Sequence, residues 1–212
     1  MSTALCQFGF SQSRADYTLF TKKRGKIFTA ILIYVDDLIV TGNDSTGIAA
    51  VKTYLSEQFH MKDLGSLSYF LGLEMHQTTD GLFLCQQKYV KDFLHDTGMA
   101  ACKPLIIPLT PNLKLYTTTG TPLADPNLFR RLVGKLIYLS ITRPDISFAV
   151  KFLSQFMSSP TDAHLKEAFH VLRYLRATPC HGVLFSKRSA LQLRAFCDSD
   201  WGSCPQFSQI CD

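Results

Sequence analysis

The sequence predicts an α+β fold, and three patterns carry that prediction. Residues 26–42 and 67–86 are rich in Ile, Val, Leu, Phe and Tyr and are punctuated by turn residues, as antiparallel hairpins are. Between them, Ile48, Val51, Leu55 and Phe59 recur at helical spacing. After a proline-rich stretch, three further helical patterns follow one another.

The elements follow in order. Residues 26–42 read as two buried strands meeting at a tight turn through Asp36 and Asp37. Asp44 or Ser45 can cap the helix that follows. A second hairpin fits 67–77 and 82–86, turned at Thr79-Asp80-Gly81. Residues 88–97 are helical, with Val90, Phe93 and Leu94 inward and Gly98 as the stop. Pro104, Pro108, Pro111, Pro122 and Pro126 exclude a long regular element from 100–126, which marks a connector and a candidate domain boundary. One helix then runs from Pro126, capped by Asp125, to about Thr142. The next starts after Pro144, and a third, capped by Thr161, buries Leu165, Ala168, Leu172 and Leu175. Strands at 182–186 and 191–197 suggest a terminal hairpin. Residues 207–212 match no element.

Bulk properties exclude several classes. An apolar fraction of 46% allows a sizeable core, yet no apolar run approaches the roughly 20 residues needed to span a bilayer. No signal peptide is visible, so a soluble intracellular protein is expected, its compartment (cytoplasmic, nuclear or organellar) unassigned. The net charge of +5 sits in clusters such as Lys22, Lys23, Arg24 and Lys26, which permits polyanion binding without requiring it. Seven cysteines, none in C-x-x-C spacing, read as reduced thiols. Cys197, Cys204 and Cys211 recur every seven residues, but no histidine or second pair completes a ligand set there.

Asp36 and Asp37 carry the chemistry. Adjacent carboxylates at the tip of an apolar hairpin repel each other, and burial there would disfavour both charges. One reading is an exposed turn, for which Asp is an ordinary residue, although the glycine favoured by a type I′ turn is missing. The other is a divalent-metal site, since Mg²⁺ takes hard oxygen ligands and sits between carboxylates and phosphates.

The motif Tyr34-Val35-Asp36-Asp37 resembles the YxDD signature of reverse transcriptases, and its setting is similar to the copia type of LTR retrotransposon. Upstream lie Gly9-Phe10, Gln12-Ser13, Asp16 and Leu19-Phe20. Downstream come Met61-Lys62-Asp63-Leu64-Gly65, Tyr69-Phe70-Leu71-Gly72, Lys88-Tyr89, Gly98-Met99 and Cys102-Lys103-Pro104. Arg131-Leu132-Val133-Gly134, Tyr138-Leu139, Thr142-Arg143-Pro144-Asp145-Ile146, His164 and Arg173-Tyr174-Leu175 complete the series in family order.

The resemblance implies an RNA-directed DNA polymerase acting on an RNA or DNA template-primer by two-metal nucleotidyl transfer. It implies a partial palm and start of thumb at 1–99, a connector at 100–126, a helical thumb and connection region at 127–180, and the start of an RNase H-like domain at 181–212. Asp36 and Asp37 become catalytic Mg²⁺ ligands, and Tyr34 a residue near the primer end. Phe70, Leu71 and Gly72 would resemble the primer grip, with core packing as the alternative for Phe70 and Leu71. Lys88, Lys91, Arg173 and Arg176 are candidate nucleic-acid contacts. Asp198, in Ala195-Phe196-Cys197-Asp198, is a relic of the RNase H site or an ordinary strand-end aspartate. The family carries a third metal-binding aspartate on a strand well N-terminal to YxDD, together with fingers that bind the incoming nucleotide. Because Met1 lies only a few residues before Gly9-Phe10, both are expected to be absent here. The ending 206–212 also departs from the family. A fragment truncated at both ends, with weak or absent Mg²⁺ binding and no turnover as a lone chain, is therefore expected. The alternatives are a non-catalytic nucleic-acid or protein-binding remnant and a decayed element-derived reading frame; whether another chain completes the site is open.

Overall fold

The computed structural model describes residues 1–190, 192, 194, 195 and 197. The chain mixes helices with antiparallel sheet, as expected, and divides into two compact units, Met1–Phe70 and Leu71–Asp212.

The first unit holds α1 (Ser2–Gln7), β1 (Ser11–Gln12), β2 (Leu19–Arg24), β3 (Ile27–Tyr34), β4 (Asp37–Gly42), α2 (Ser45–Phe59) and β5 (Tyr69–Phe70). Strands β1 to β4 form a sequential antiparallel sheet. α1, β1 and β2 come before the first element expected from the sequence. β4 is only partly buried, a correction to the reading of two buried strands. Asp44 caps α2 by accepting from the Gly47 amide at 2.9 Å. One face of α2 supplies Val51 and Leu55 to a small core with Leu5, Phe10, Phe20 and Ile31. The cationic cluster on the β2–β3 hairpin is partly committed to this core: Lys22 donates to the Phe8 carbonyl at 2.8 Å and lies over the Phe8 ring.

In the second unit β6 (Leu73–Gln77), β7 (Gly81–Cys85) and β8 (Gly182–Ser186) pair antiparallel in that order. The long strand expected at 67–77 is split, because Leu71 and Gly72 both take positive φ (+51° and +81°). β8 pairs with β7, so 182–186 is not half of a self-contained terminal hairpin. The second strand of that hairpin, 191–197, and Asp198 lie partly or wholly outside the described residues.

Four helices build the main core: α3 (Gln87–Asp96), α4 (Pro126–Leu139), α5 (Ser147–Ser154) and α6 (Asp162–Ala177). Phe93, Phe129, Leu136, Leu153 and Leu172 are fully buried among them. α4 stops at Leu139, three residues short of the expected end, and a 3₁₀ turn at Pro144–Ile146 precedes α5. The proline-rich stretch 100–126 belongs to this unit and is strapped along α6. Arg176 donates to the Ala100 carbonyl, Arg173 to that of Lys103, and the Thr110 hydroxyl to Glu167. His164, stacked on Phe156 with ring centroids 4.0 Å apart, accepts from the Thr161 amide and faces the Tyr116 carbonyl at 3.1 Å.

The Thr142-Arg143-Pro144-Asp145 block ties the α4–α5 connection to the end of α6. Arg143 is 1% exposed and grips Asp145 through Nε and Nη2, at 2.9 and 2.7 Å. It also donates to the carbonyl and hydroxyl of Thr178, while the Tyr174 hydroxyl donates to Asp145. Every charge in this cluster is matched by hydrogen bonds, the condition for burying it.

Candidate functional site

Six residue pairs join β3 to β4, ending at Tyr34 opposite Asp37, so the connecting loop is only Val35 and Asp36. Val35 stands at φ +50°, and Asp36 is not in the left-handed region. That sign pattern belongs to a type II′ turn, in which the first central residue is ordinarily glycine. A β-branched residue there carries strain of about 1–2 kcal/mol. The turn pushes Val35 into solvent, 82% exposed, with Tyr34, Asp36 and Asp37 also exposed. Both carboxylates are therefore exposed to solvent, where the sequence reading weighs a buried hairpin tip.

Asp36 and Asp37 line one cavity of about 430 Å³, whose walls also include Lys52, Asp63 and Gly65, with Leu55 and Phe70 among the apolar ones. The Asp36-Asp37 pair thus shares one cavity with the continuous segment 61–70, which carries the Met61-Lys62-Asp63-Leu64-Gly65 and Tyr69-Phe70 blocks. Asp63 is held below the usual carboxylate range by the Gly65 amide, 2.9 Å away, and by Lys52 at 3.0 Å. It stays ionised and occupied. Asp36 and Asp37 offer hard oxygen ligands on a solvent-accessible rim, which fits one Mg²⁺. Lys52 was not singled out from sequence; its only signal was its place beside Val51 on a helix following the Asp pair.

Of the other candidates, Phe70 is buried, which favours packing, whereas Leu71 is 41% exposed. The Leu71 carbonyl accepts from the Tyr138 hydroxyl at 2.7 Å, and a Cβ on Gly72 would lie 2.3 Å from that hydroxyl. At φ +81° any other residue would be strained and would have to displace that hydroxyl. Tyr138 in turn meets Tyr89 edge to face, so the Tyr-Leu, Lys-Tyr and Leu-Gly blocks converge on this turn. Lys88 and Lys91 are exposed on α3, and Lys88 pairs with Asp92 at 2.9 Å. Arg173 and Arg176 each spend their Nε–H on a carbonyl of the connector. Asp198 lies outside the described residues.

A family profile described as reverse transcriptase (RNA-dependent DNA polymerase) matches residues 1–111. The chain is 45% identical over 197 residues to the retrovirus-related Pol polyprotein from transposon RE1 of Arabidopsis thaliana, covering 93% of this chain and 13% of that protein. It is 42% identical over 201 residues to the corresponding polyprotein from transposon RE2 of the same plant, covering 95% and 14%. An uncharacterized mitochondrial protein of Arabidopsis thaliana is 45% identical over 175 residues, 82% of this chain and 72% of that protein. No solved structure matches significantly. The chain belongs to the reverse transcriptase (RNA-dependent DNA polymerase) family, and within it to the copia-type retrotransposon branch. It spans about one seventh of the two Pol polyproteins' length. Among the described residues no helix is long and apolar enough to cross a membrane.

Proposed function

We propose that this chain supplies the Asp36–Asp37 half of a copia-type polymerase centre, with Mg²⁺ as cofactor and an RNA or DNA template-primer as partner. One observation carries the proposal: two exposed carboxylates at the tip of a hairpin, one on its strained two-residue turn and one on the first residue of β4, line a cavity that two other family blocks help to line. Bound there, Mg²⁺ would stabilise charge on the attacking 3′ oxygen and the leaving pyrophosphate. The chain's own part is to hold the two carboxylates on a hairpin whose six-pair ladder leaves them little freedom. Tyr34, across from Asp37, would lie near the primer end. Phe70, Leu71 and Gly72 would correspond to the primer grip, with Tyr138 holding the turn. The first unit would then be palm, and α3 to α6 thumb and connection.

Two carboxylates do not suffice for two ions, which need a further bridging ligand. Residues 1–212 alone should therefore give no template-directed incorporation with Mg²⁺ or Mn²⁺ in a primer-extension assay. Fusing the preceding reverse-transcriptase segment of a related copia element should restore it. Asp36→Asn or Asp37→Asn should then lower the restored rate by about 100-fold or more, the scale on which a lost electrostatic ligand is felt. Restored activity indifferent to both substitutions would overturn the assignment.

A further inference from the structure

We propose that the second unit carries a binding site for a borderline divalent cation, zinc in the first instance, formed by Glu74, His76 and Cys85. The three residues lie on one face of the β6–β7 pair. Glu74 and His76 are two apart on β6, and Cys85 is directly opposite Glu74 on β7. Their ligand atoms (a carboxylate oxygen, an imidazole nitrogen and Sγ) all fall within 4.8 Å of one another. Zn–S near 2.3 Å and Zn–N or Zn–O near 2.0–2.1 Å separate tetrahedral ligand atoms by roughly 3.3–3.6 Å. Closing the set therefore takes side-chain rotation of about an ångström.

The surroundings suit a cation. Glu74 is pinned, because one carboxylate oxygen accepts the Lys88 amide at 2.6 Å at the start of α3, leaving its other oxygen for a ligand bond. Cys85 is buried, 3% exposed, and shares its sheet face with Glu74, so its Sγ sits on the inner side of the cluster. A dication beside a thiolate, a carboxylate and a neutral imidazole would leave the cluster uncharged. His76 is exposed and gives access from solvent, and three protein ligands leave a fourth position open. A thiolate and an imidazole select zinc or cobalt over magnesium, so this site is chemically separate from the Asp36–Asp37 pair.

The test titrates Co²⁺ into the chelator-treated full chain and follows thiolate-to-cobalt charge transfer, with Zn²⁺ competition giving its affinity. One equivalent should bind, survive a large excess of Mg²⁺, and raise the melting temperature. Cys85→Ala should abolish the charge-transfer band. His76→Ala, which removes an exposed side chain and leaves the core intact, should weaken binding by more than about tenfold, the least expected even for an outer partner. A band that persists in Cys85→Ala would place the metal on other thiols and overturn the proposal. So would an affinity unchanged by His76→Ala, or no binding by the wild-type chain.

Discussion

Arg143 shows at the scale of one residue what a family block can be for. The motif Thr142-Arg143-Pro144-Asp145 invites a functional reading, yet the guanidinium is almost wholly buried and its bonds end on Asp145 and Thr178. Desolvation pushes the Asp145 carboxyl up, but the Arg143 and Tyr174 hydrogen bonds and the Arg143 charge together outweigh it and bring the carboxyl down. A folded-state value below the unfolded one means stability that is present above about pH 4 and lost as pH falls further. Arg143→Met should cost about 2–4 kcal/mol in urea unfolding, less than a wholly dry pair because the Asp145 side chain is 33% exposed. Asp145→Asn should weaken the fold at neutral pH and blunt its acid dependence. An Arg143→Met variant as stable as wild type would show that the cluster contributes nothing net. At this scale Asp36 and Asp37 were legible because two adjacent charges break an apolar pattern. The strain at Val35 was not, since nothing in Tyr-Val-Asp-Asp announces a left-handed valine. Nor was the Glu74–His76–Cys85 set, because its spacing is set by cross-strand register and not by distance along the chain.

Elements were legible where local chemistry and packing agree. α2, α3 and α6 fall within a residue or two of their expected limits because each joins an apolar stripe to an evident start or stop: Asp44, Gly98, Thr161. The strand reading at 67–77 failed because Leu71 enters the left-handed region, which its side chain disfavours and the Tyr138 hydroxyl bond supports. The partner of β8 was equally hidden, about a hundred residues upstream. α6 also carries a pH signature. Burial lowers the His164 pKa, with the Tyr116 carbonyl opposing, so the neutral ring with Nε2–H toward that carbonyl is the folded form. The unfolded chain binds the proton more readily, so this stability is complete above about pH 6.5 and is lost as pH falls toward the folded value. Chemical denaturation should show stability falling as pH drops below about 6.5, a slope that disappears in His164→Gln. His164→Ala should cost about 2–3 kcal/mol through the lost cap and buried hydrogen bonds. A slope that survives His164→Gln would assign the pH response to another group.

For the molecule as a whole, the distribution of apolar burial matters more than the motif order. The proline-rich stretch looked from sequence like the place where the chain divides, because prolines exclude regular structure. Those prolines leave backbone and side-chain groups free to bond along α6, and the stretch runs within the second unit. The two cores differ in size: Leu5, Phe10, Phe20, Ile31, Val51 and Leu55 in the first, against a four-helix core including Phe93, Phe129, Leu136, Leu153 and Leu172 in the second. A unit of about 70 residues with so small a core is near the lower limit of independent stability, whereas the larger core should sustain itself. Native-state hydrogen exchange should therefore report higher opening free energies for amides of α4 and α6 than for those of β3 and β4. A polypeptide starting at Leu71 should keep its helical circular dichroism and melt cooperatively, whereas residues 1–70 alone should be largely unfolded. The hairpin bearing Asp36 and Asp37 should then be the less stable part, and under the proposed function added template-primer or Mg²⁺ should protect its amides first. Equal protection of both units in the free chain, or an unfolded Leu71 polypeptide, would refute this division of stability.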